Sequence, residues 1–224
     1  MTILLWDIDG TLLTTNRAGI TAWQDALVAV AGDQRSLDDL HTAGSTDIEI
    51  AHMLLHQTGA DPGLVATLVS EYEDRLPAAL GLRDGKVLPN VLEILSALDG
   101  HPTTRMLLLT GNSRRGARAK LSHYGLARFF EYGAYADDAN DRPGVARVAL
   151  ERARQLVGPL DPERCIVIGD TPADIKCGQA IGARTIAVAT GVYSLEELRR
   201  EGPSILFAQL PAPGQFASAV GVSL

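Results

Sequence analysis

Cysteine is nearly absent from this chain of 224 residues: only Cys165 and Cys177 occur, each among apolar neighbours. Two thiols cannot form a disulfide framework in a chain of this length, so both are expected to be reduced core residues. Aromatic residues make up only 5% and charged residues 21%, against 46% apolar, a balance that excludes a disordered chain and provides ample material for a core. Positive charge is in deficit, with 20 Lys and Arg against 27 Asp and Glu for a formal net charge of −7. Such a balance has no electrostatic footprint for a nucleic acid or an anionic membrane, so neither is an expected partner. No apolar run reaches the roughly 20 residues that span a bilayer. The opening Met1-Thr2-Ile3-Leu4-Leu5-Trp6 lacks a basic n-region and an h-region of secretory length. A cytoplasmic location and a small soluble ligand are the expectations.

Five short apolar runs end at polar or glycine-bearing turns: Ile3 to Trp6, Met106 to Leu109, Tyr132 to Ala136, Cys165 to Ile168 and Thr185 to Ala189. Most are continuously apolar rather than alternating, as strands covered on both faces by helices are. Helix starts lie between them: Asn90 with Glu93, Ser113, Pro143 leading into Gly144 to Val157, and Pro172 after Thr171. The alternation predicts an α/β fold with a doubly wound parallel sheet. Ile205 to Phe207 is a candidate edge strand, and the uncharged Gly202 to Leu224 is expected to finish the core. From about Thr15 to Arg83 the rhythm breaks into helical patterns: Ala18 to Ala31, Thr46 to Gln57 with a Thr46…Glu49 capping box, and a third opened by Asp61-Pro62. The expected organisation is a core of residues 1–14 and 85–224 with an all-helical insert over 15–84.

Chemistry concentrates at the ends of the apolar runs. Ile3-Leu4-Leu5-Trp6-Asp7-Ile8-Asp9-Gly10-Thr11 is a strand ending in two carboxylates spaced by one residue, hence starting on the same side, and Gly10 lets the backbone turn just beyond them. A plain Asp/Gly turn is the ordinary alternative; a calcium loop is not, since the sixth and twelfth positions from Asp7 are Leu12 and Ala18. Leu107-Leu108-Leu109-Thr110-Gly111-Asn112-Ser113 also ends a strand and opens a helix, where a hydroxyl and free amides suit an oxyanion or simply cap the helix. Ile166-Val167-Ile168-Gly169-Asp170-Thr171-Pro172-Ala173-Asp174 brings Asp170 to a strand end and Asp174 to a first helical turn, where a carboxylate also suits the helix dipole. Hard oxygen ligands with no soft donor nearby favour magnesium. Arg142, before Pro143, is a candidate cation to offset the acids and a bound phosphate.

Asp7-Ile8-Asp9-Gly10-Thr11, Thr110-Gly111-Asn112, Arg142-Pro143 and Gly169-Asp170-Thr171-Pro172-Ala173-Asp174 resemble, in order and spacing, the four motifs of the haloacid dehalogenase superfamily. The insert is similar to the helical cap of its phosphoglycolate-phosphatase-like branch, with Gly44-Ser45-Thr46-Asp47 similar to a cap motif there. The resemblance implies a Rossmann-like core and a phosphatase acting on a small phosphorylated metabolite, phosphoglycolate-like or a sugar phosphate. It implies Asp7 as nucleophile, Asp9 as acid and then base, and Mg2+ held by Asp7, the Asp9 carbonyl and Asp170 with Asp174 in support. Gly10, Thr11, Thr110, Gly111, Asn112, Arg142, Arg17 and Thr46 become the expected phosphate or substrate contacts. The third motif usually offers lysine where this chain has Arg142, which keeps the charge in a forked, bulkier group.

Arg17 has two open uses, a substrate carboxylate or water. His52 and His56 share a helix face but lack the glutamate of a zinc-protease pattern, since Met53 stands there. Arg114, Arg115, Arg118 and Lys120 are expected to form a solvated basic face. A sugar-phosphate mutase of the same superfamily and a phosphate-binding regulatory protein without turnover are the alternative functions, and the chain is expected to be a monomer or homodimer.

Overall fold

The computed structural model describes residues 1–224. In chain order the elements are β1 (Thr2–Trp6), β2 (Leu13–Thr14), α1 (Ala18–Ala31), α2 (Asp47–Thr58), α3 (Val65–Gly81), β3 (Lys86–Val87), α4 (Val91–Leu98), β4 (Thr104–Leu109), α5 (Arg114–His123), β5 (Gly133–Ala134), α6 (Arg142–Val157), β6 (Cys165–Gly169), α7 (Pro172–Ala180), β7 (Arg184–Val188), α8 (Leu195–Arg200), β8 (Ile205–Phe207) and α9 (Pro213–Val220). Six strands form one sheet in the order β5-β4-β1-β6-β7-β8, and every pairing is parallel. The continuous apolar runs explain this, because every residue of β1 and β6 is buried. Leu4 and Trp6 of β1 pack into one apolar cluster, while Ile3 and Leu5 pack into another on the opposite face. That is the two-residue alternation of a strand covered on both sides.

The chain leaves β1 toward β4 and β5, then returns to place β6 on the other side of β1. The crevice at the carboxyl ends of β1 and β6 is therefore the topological switch point, where ligands bind in open α/β sheets. β8 is an edge strand as expected, and the uncharged C-terminal stretch does finish the core: Phe216 stacks on Trp6 with ring centroids 5.4 Å apart. Cys165 and Cys177 are free and buried.

Helices α1, α2 and α3 enclose an apolar cluster of their own, centred on Trp23 and Tyr72, whose rings stack at 4.0 Å. Two features of the chain differ from expectation. β2 and β3 pair antiparallel as a two-stranded ribbon at the entry and exit of the helical insert, and strands of two residues are too short to carry a periodic signal. Asn90 makes no side-chain cap on α4; it lies at φ 63° and its Nδ2 donates to the Leu210 carbonyl at 2.7 Å, a contact 120 residues away in sequence. No helix is long and apolar enough to cross a membrane.

Candidate active site

β1 runs out at Trp6, yet the Asp7 N–H still donates to the Ile168 carbonyl at 2.9 Å, so Asp7 is held in the ladder at the mouth of the crevice. Gly10 follows at φ +80°, and a Cβ there would lie 2.3 Å from Asp170 Oδ2. Only glycine lets this turn bring the first acid loop against Asp170. Thr11 closes the contact by donating its hydroxyl to Asp170 Oδ1 at 3.0 Å, and Thr190, from the loop after β7, donates to the Gly10 carbonyl at 2.6 Å.

Oxygens of Asp7, Asp170 and Asp174 lie within 4.8 Å of one another, and all three residues are buried. Burial pushes the Asp7 carboxyl up to about 8, with Asp174 and Asp9 adding to the rise and Arg142 opposing it. Burial also raises Asp170, and Asp174 and Asp7 add to that effect. The single guanidinium among them is Arg142, first residue of α6, placed there by Asp141, whose carboxylate caps the helix by accepting the Gly144 N–H at 2.6 Å. Arg142 Nη1 is 3.5 Å from Asp7 Oδ1, Nη2 donates to Asp174 Oδ1, and the buried Nε has no partner. Burial alone would lower the Arg142 pKa, but Asp174 and Asp7 outweigh it and leave it raised.

Asp174 completes the capping box of α7 and is also the partner of Arg142. Its Oδ2 accepts from the Thr171 N–H at 3.0 Å and hydroxyl at 2.7 Å in a capping box, while Oδ1 meets Arg142. Three buried acids share one guanidinium in a site whose candidate ligands are all oxygens, and once ionised this donor set fits a small hard dication.

The second turn comes off β4. Thr110 Oγ1 accepts from the Asn112 N–H at 3.2 Å and from its Nδ2 at 2.8 Å, and Nδ2 also donates to Asp9 Oδ2 at 2.8 Å. Ser113 caps α5 through the Gly116 N–H at 3.1 Å. The capping alternative for this turn falls on Ser113 and not on Thr110. Asp9 lies beside this turn, outside the Asp7–Asp170–Asp174 group.

Lys120 corrects the expectation of a solvated face. Arg114, Arg115 and Arg118 are exposed, but Lys120 is buried, donating to Asp9 Oδ2 at 2.6 Å and to Asn112 Oδ1 at 2.5 Å. The signal was present in the sequence: Gly116, Ala117, Lys120 and Leu121 form the i, i+1, i+4, i+5 stripe that α5 buries, which puts the lysine on the apolar side.

The insert meets the core over the same turns. Asp47 N–H donates to the Gly111 carbonyl at 2.8 Å, and a Cβ on Gly111 would lie 2.4 Å from the Ser45 carbonyl oxygen. Thr46 does not line the cavity; its hydroxyl accepts the Glu49 N–H at 3.1 Å in the expected capping box. Between insert and core lies a cavity of about 870 Å³ that reaches Asp7, Asp9, Asn112, Lys120, Arg142 and Asp170. Arg17 lines it too, left-handed at φ 69°, with Nη2 donating to the Asp38 carbonyl at 2.7 Å. Thr11 and Thr110 stand behind the lining, while Gly10, Gly111 and Asp174 form part of it.

A switch-point crevice that gathers three buried acids and a guanidinium at the strand ends of a parallel sheet is the ligand-binding arrangement of an α/β fold. The comparisons agree. Residues 1–182 match the family model described as haloacid dehalogenase-like hydrolase. The chain is 31% identical to a 5'-nucleotidase of Pseudomonas aeruginosa, covering 93% of this chain and 92% of that protein. It is 27% identical to a pyrophosphatase, PpaX, of Bacillus pumilus, with 92% of each covered. A solved hydrolase from Pseudomonas syringae shares the fold at TM-score 0.75 and 20% identity, with both chains covered completely. This chain belongs to the haloacid dehalogenase-like hydrolase family, and within it is a phosphoric monoester hydrolase.

Proposed function

We propose that the enzyme hydrolyses a small phosphorylated metabolite, with magnesium bound, through an aspartyl phosphate on Asp7. The observation that carries this most is Asp7 itself: a buried strand-end carboxylate facing Arg142 at 3.5 Å, at the floor of a cavity of about 870 Å³. Asp7, the Asp9 carbonyl and Asp170 would hold the ion, with Asp174 steadying it and Arg142. Bound magnesium would supply neutralisation of the phosphoryl charge and alignment of attack.

An Asp7 carboxylate oxygen forms a bond to phosphorus as the bond from phosphorus to the leaving oxygen breaks, and Asp9 gives its proton to that oxygen. Asp9, now a carboxylate, takes a proton from water as the water oxygen attacks phosphorus. The bond to Asp7 breaks and inorganic phosphate is released. The Thr110 hydroxyl, behind the cavity lining, accepts two hydrogen bonds from Asn112 and so holds that lining residue in place. The helical insert acts as a cap that excludes water and bulky esters. Sugar phosphates and phosphoglycolate-like esters are the first substrates to test, and the relatives' names add nucleotides and pyrophosphate. The deciding experiment measures phosphate release from p-nitrophenyl phosphate with and without magnesium; no magnesium-dependent release from pure protein removes the proposal.

A further inference from the structure

A buried ammonium group is costly to desolvate unless its hydrogens are taken up by fixed acceptors. Lys120 is 5% exposed and meets that condition with acceptors from two different loops, Asp9 Oδ2 at 2.6 Å and Asn112 Oδ1 at 2.5 Å. The Asp9 side chain, by contrast, is 41% exposed. An exposed carboxylate has several rotamers within thermal reach, whereas proton transfer requires one of them.

We propose that Lys120 is the positioning residue of the acid–base group, fixing Asp9 in one orientation through a three-residue network with Asn112. The inference rests on the phosphatase mechanism proposed above. Both donors, Lys120 Nζ and Asn112 Nδ2, converge on the same oxygen, Asp9 Oδ2. Oδ1 receives no donor from the protein and is the oxygen that gives and takes the proton. Lys120 also sets the Asn112 amide: with Oδ1 accepting from the ammonium, Nδ2 is turned toward both Asp9 and Thr110. One lysine on α5 thereby orients the proton donor and, at one remove, the Thr110 hydroxyl.

The test compares wild type, Lys120→Met, Asp9→Asn and the double variant on p-nitrophenyl phosphate and on glycerol phosphate with magnesium present. Methionine keeps the buried stem and removes the ammonium. General acid–base catalysis contributes roughly 10²- to 10⁴-fold, so Lys120→Met should lower kcat on glycerol phosphate by about 100-fold with KM little changed. The loss on p-nitrophenyl phosphate, whose leaving group needs no proton, should be about 10-fold or less. In the Asp9→Asn background, Lys120→Met should add less than about twofold, since residues acting as one unit are not additive. Lys120→Gln, which retains a neutral donor, should recover part of the loss and also serves if the methionine variant does not fold. Unchanged kcat in both lysine variants overturns the proposal. So does a loss that multiplies with that of Asp9→Asn, or a rise in KM at unchanged kcat, which would make Lys120 a substrate contact. Inactivity of the wild type on both esters would instead remove the underlying phosphatase mechanism.

Discussion

Asp47 Oδ2 accepts the main-chain N–H of Ser113 at 2.7 Å, joining the first turn of α2 in the helical insert to the first turn of α5 in the core. Asp47 is buried, and burial raises its carboxyl to about 6 even though Lys120 and the Ser113 bond pull it down. A Cβ on Gly116 would lie 3.3 Å from the same oxygen and 3.7 Å from the Tyr72 ring, so α5 offers a glycine where the insert docks.

Removing that acceptor leaves the Ser113 N–H buried and unpaired. Asp47→Ala is therefore expected to cost about 1–3 kcal/mol. In a chain of this size that lowers Tm by roughly 2–4 °C per kcal/mol, and Asp47→Asn, which keeps an acceptor, should lose less. Thermal melting of both variants checks this. An alanine variant as stable as wild type would mean that the contact contributes nothing to docking.

Asp7→Asn should abolish turnover while preserving the fold, because an amide of nearly the same shape cannot form the ester. Quenched wild-type reactions should give a phosphorylated Asp7-containing peptide by mass spectrometry, and the variant none. Label on another residue would contradict the nucleophile assignment.

The Asp7 pKa makes metal-free stability depend on pH in a stated direction. Its folded value of about 8 lies above the ordinary 3.8, so the folded state holds a proton that the unfolded chain releases. Stability from this group is fully present below about pH 4 and drains away as pH rises toward 8, at up to about 1.4 kcal/mol per pH unit. Metal-free protein should melt lower at pH 8 than at pH 5, magnesium should raise Tm more at pH 8, and metal-free Asp7→Asn should exceed wild type by a margin that grows with pH. Melting curves in chelator and in magnesium across this range decide it; a magnesium shift independent of pH would count against an ion among these acids.

Asp9→Asn should slow alkyl phosphates more than aryl phosphates, by about 10²-fold or more for the poorer leaving group. Steady-state kinetics on a series of esters graded by leaving-group acidity would show a steeper dependence in the variant. Equal losses across the series would deny Asp9 the role of acid.

Much of the site is legible in the order of residues, and for a local reason. A strand's end, its last polar residues and the cap that opens the next helix are fixed within a few positions of one another, so Asp7, Asp9, Thr110 and Asp170 announce themselves at the ends of apolar runs. The parallel sheet and the helical insert follow from periodicity in the same way. What adjacency cannot convey is which partner, distant in sequence, a side chain meets. Asn90 has the residue type of a helix cap but bonds Leu210, and Lys120 stands in a run of solvated cations yet pairs with Asp9, 111 residues away.

The chain by itself determined the doubly wound fold, the four polar strand ends and the charge that must be balanced there, because these depend on local pattern and composition. Only the tertiary structure decided that Arg142 is shared between Asp7 and Asp174, that Lys120 rather than solvent holds Asp9, and that the insert docks through Asp47. Those outcomes arise from packing distant helices at one crevice, where burial makes each unpaired charge costly and so selects its partner.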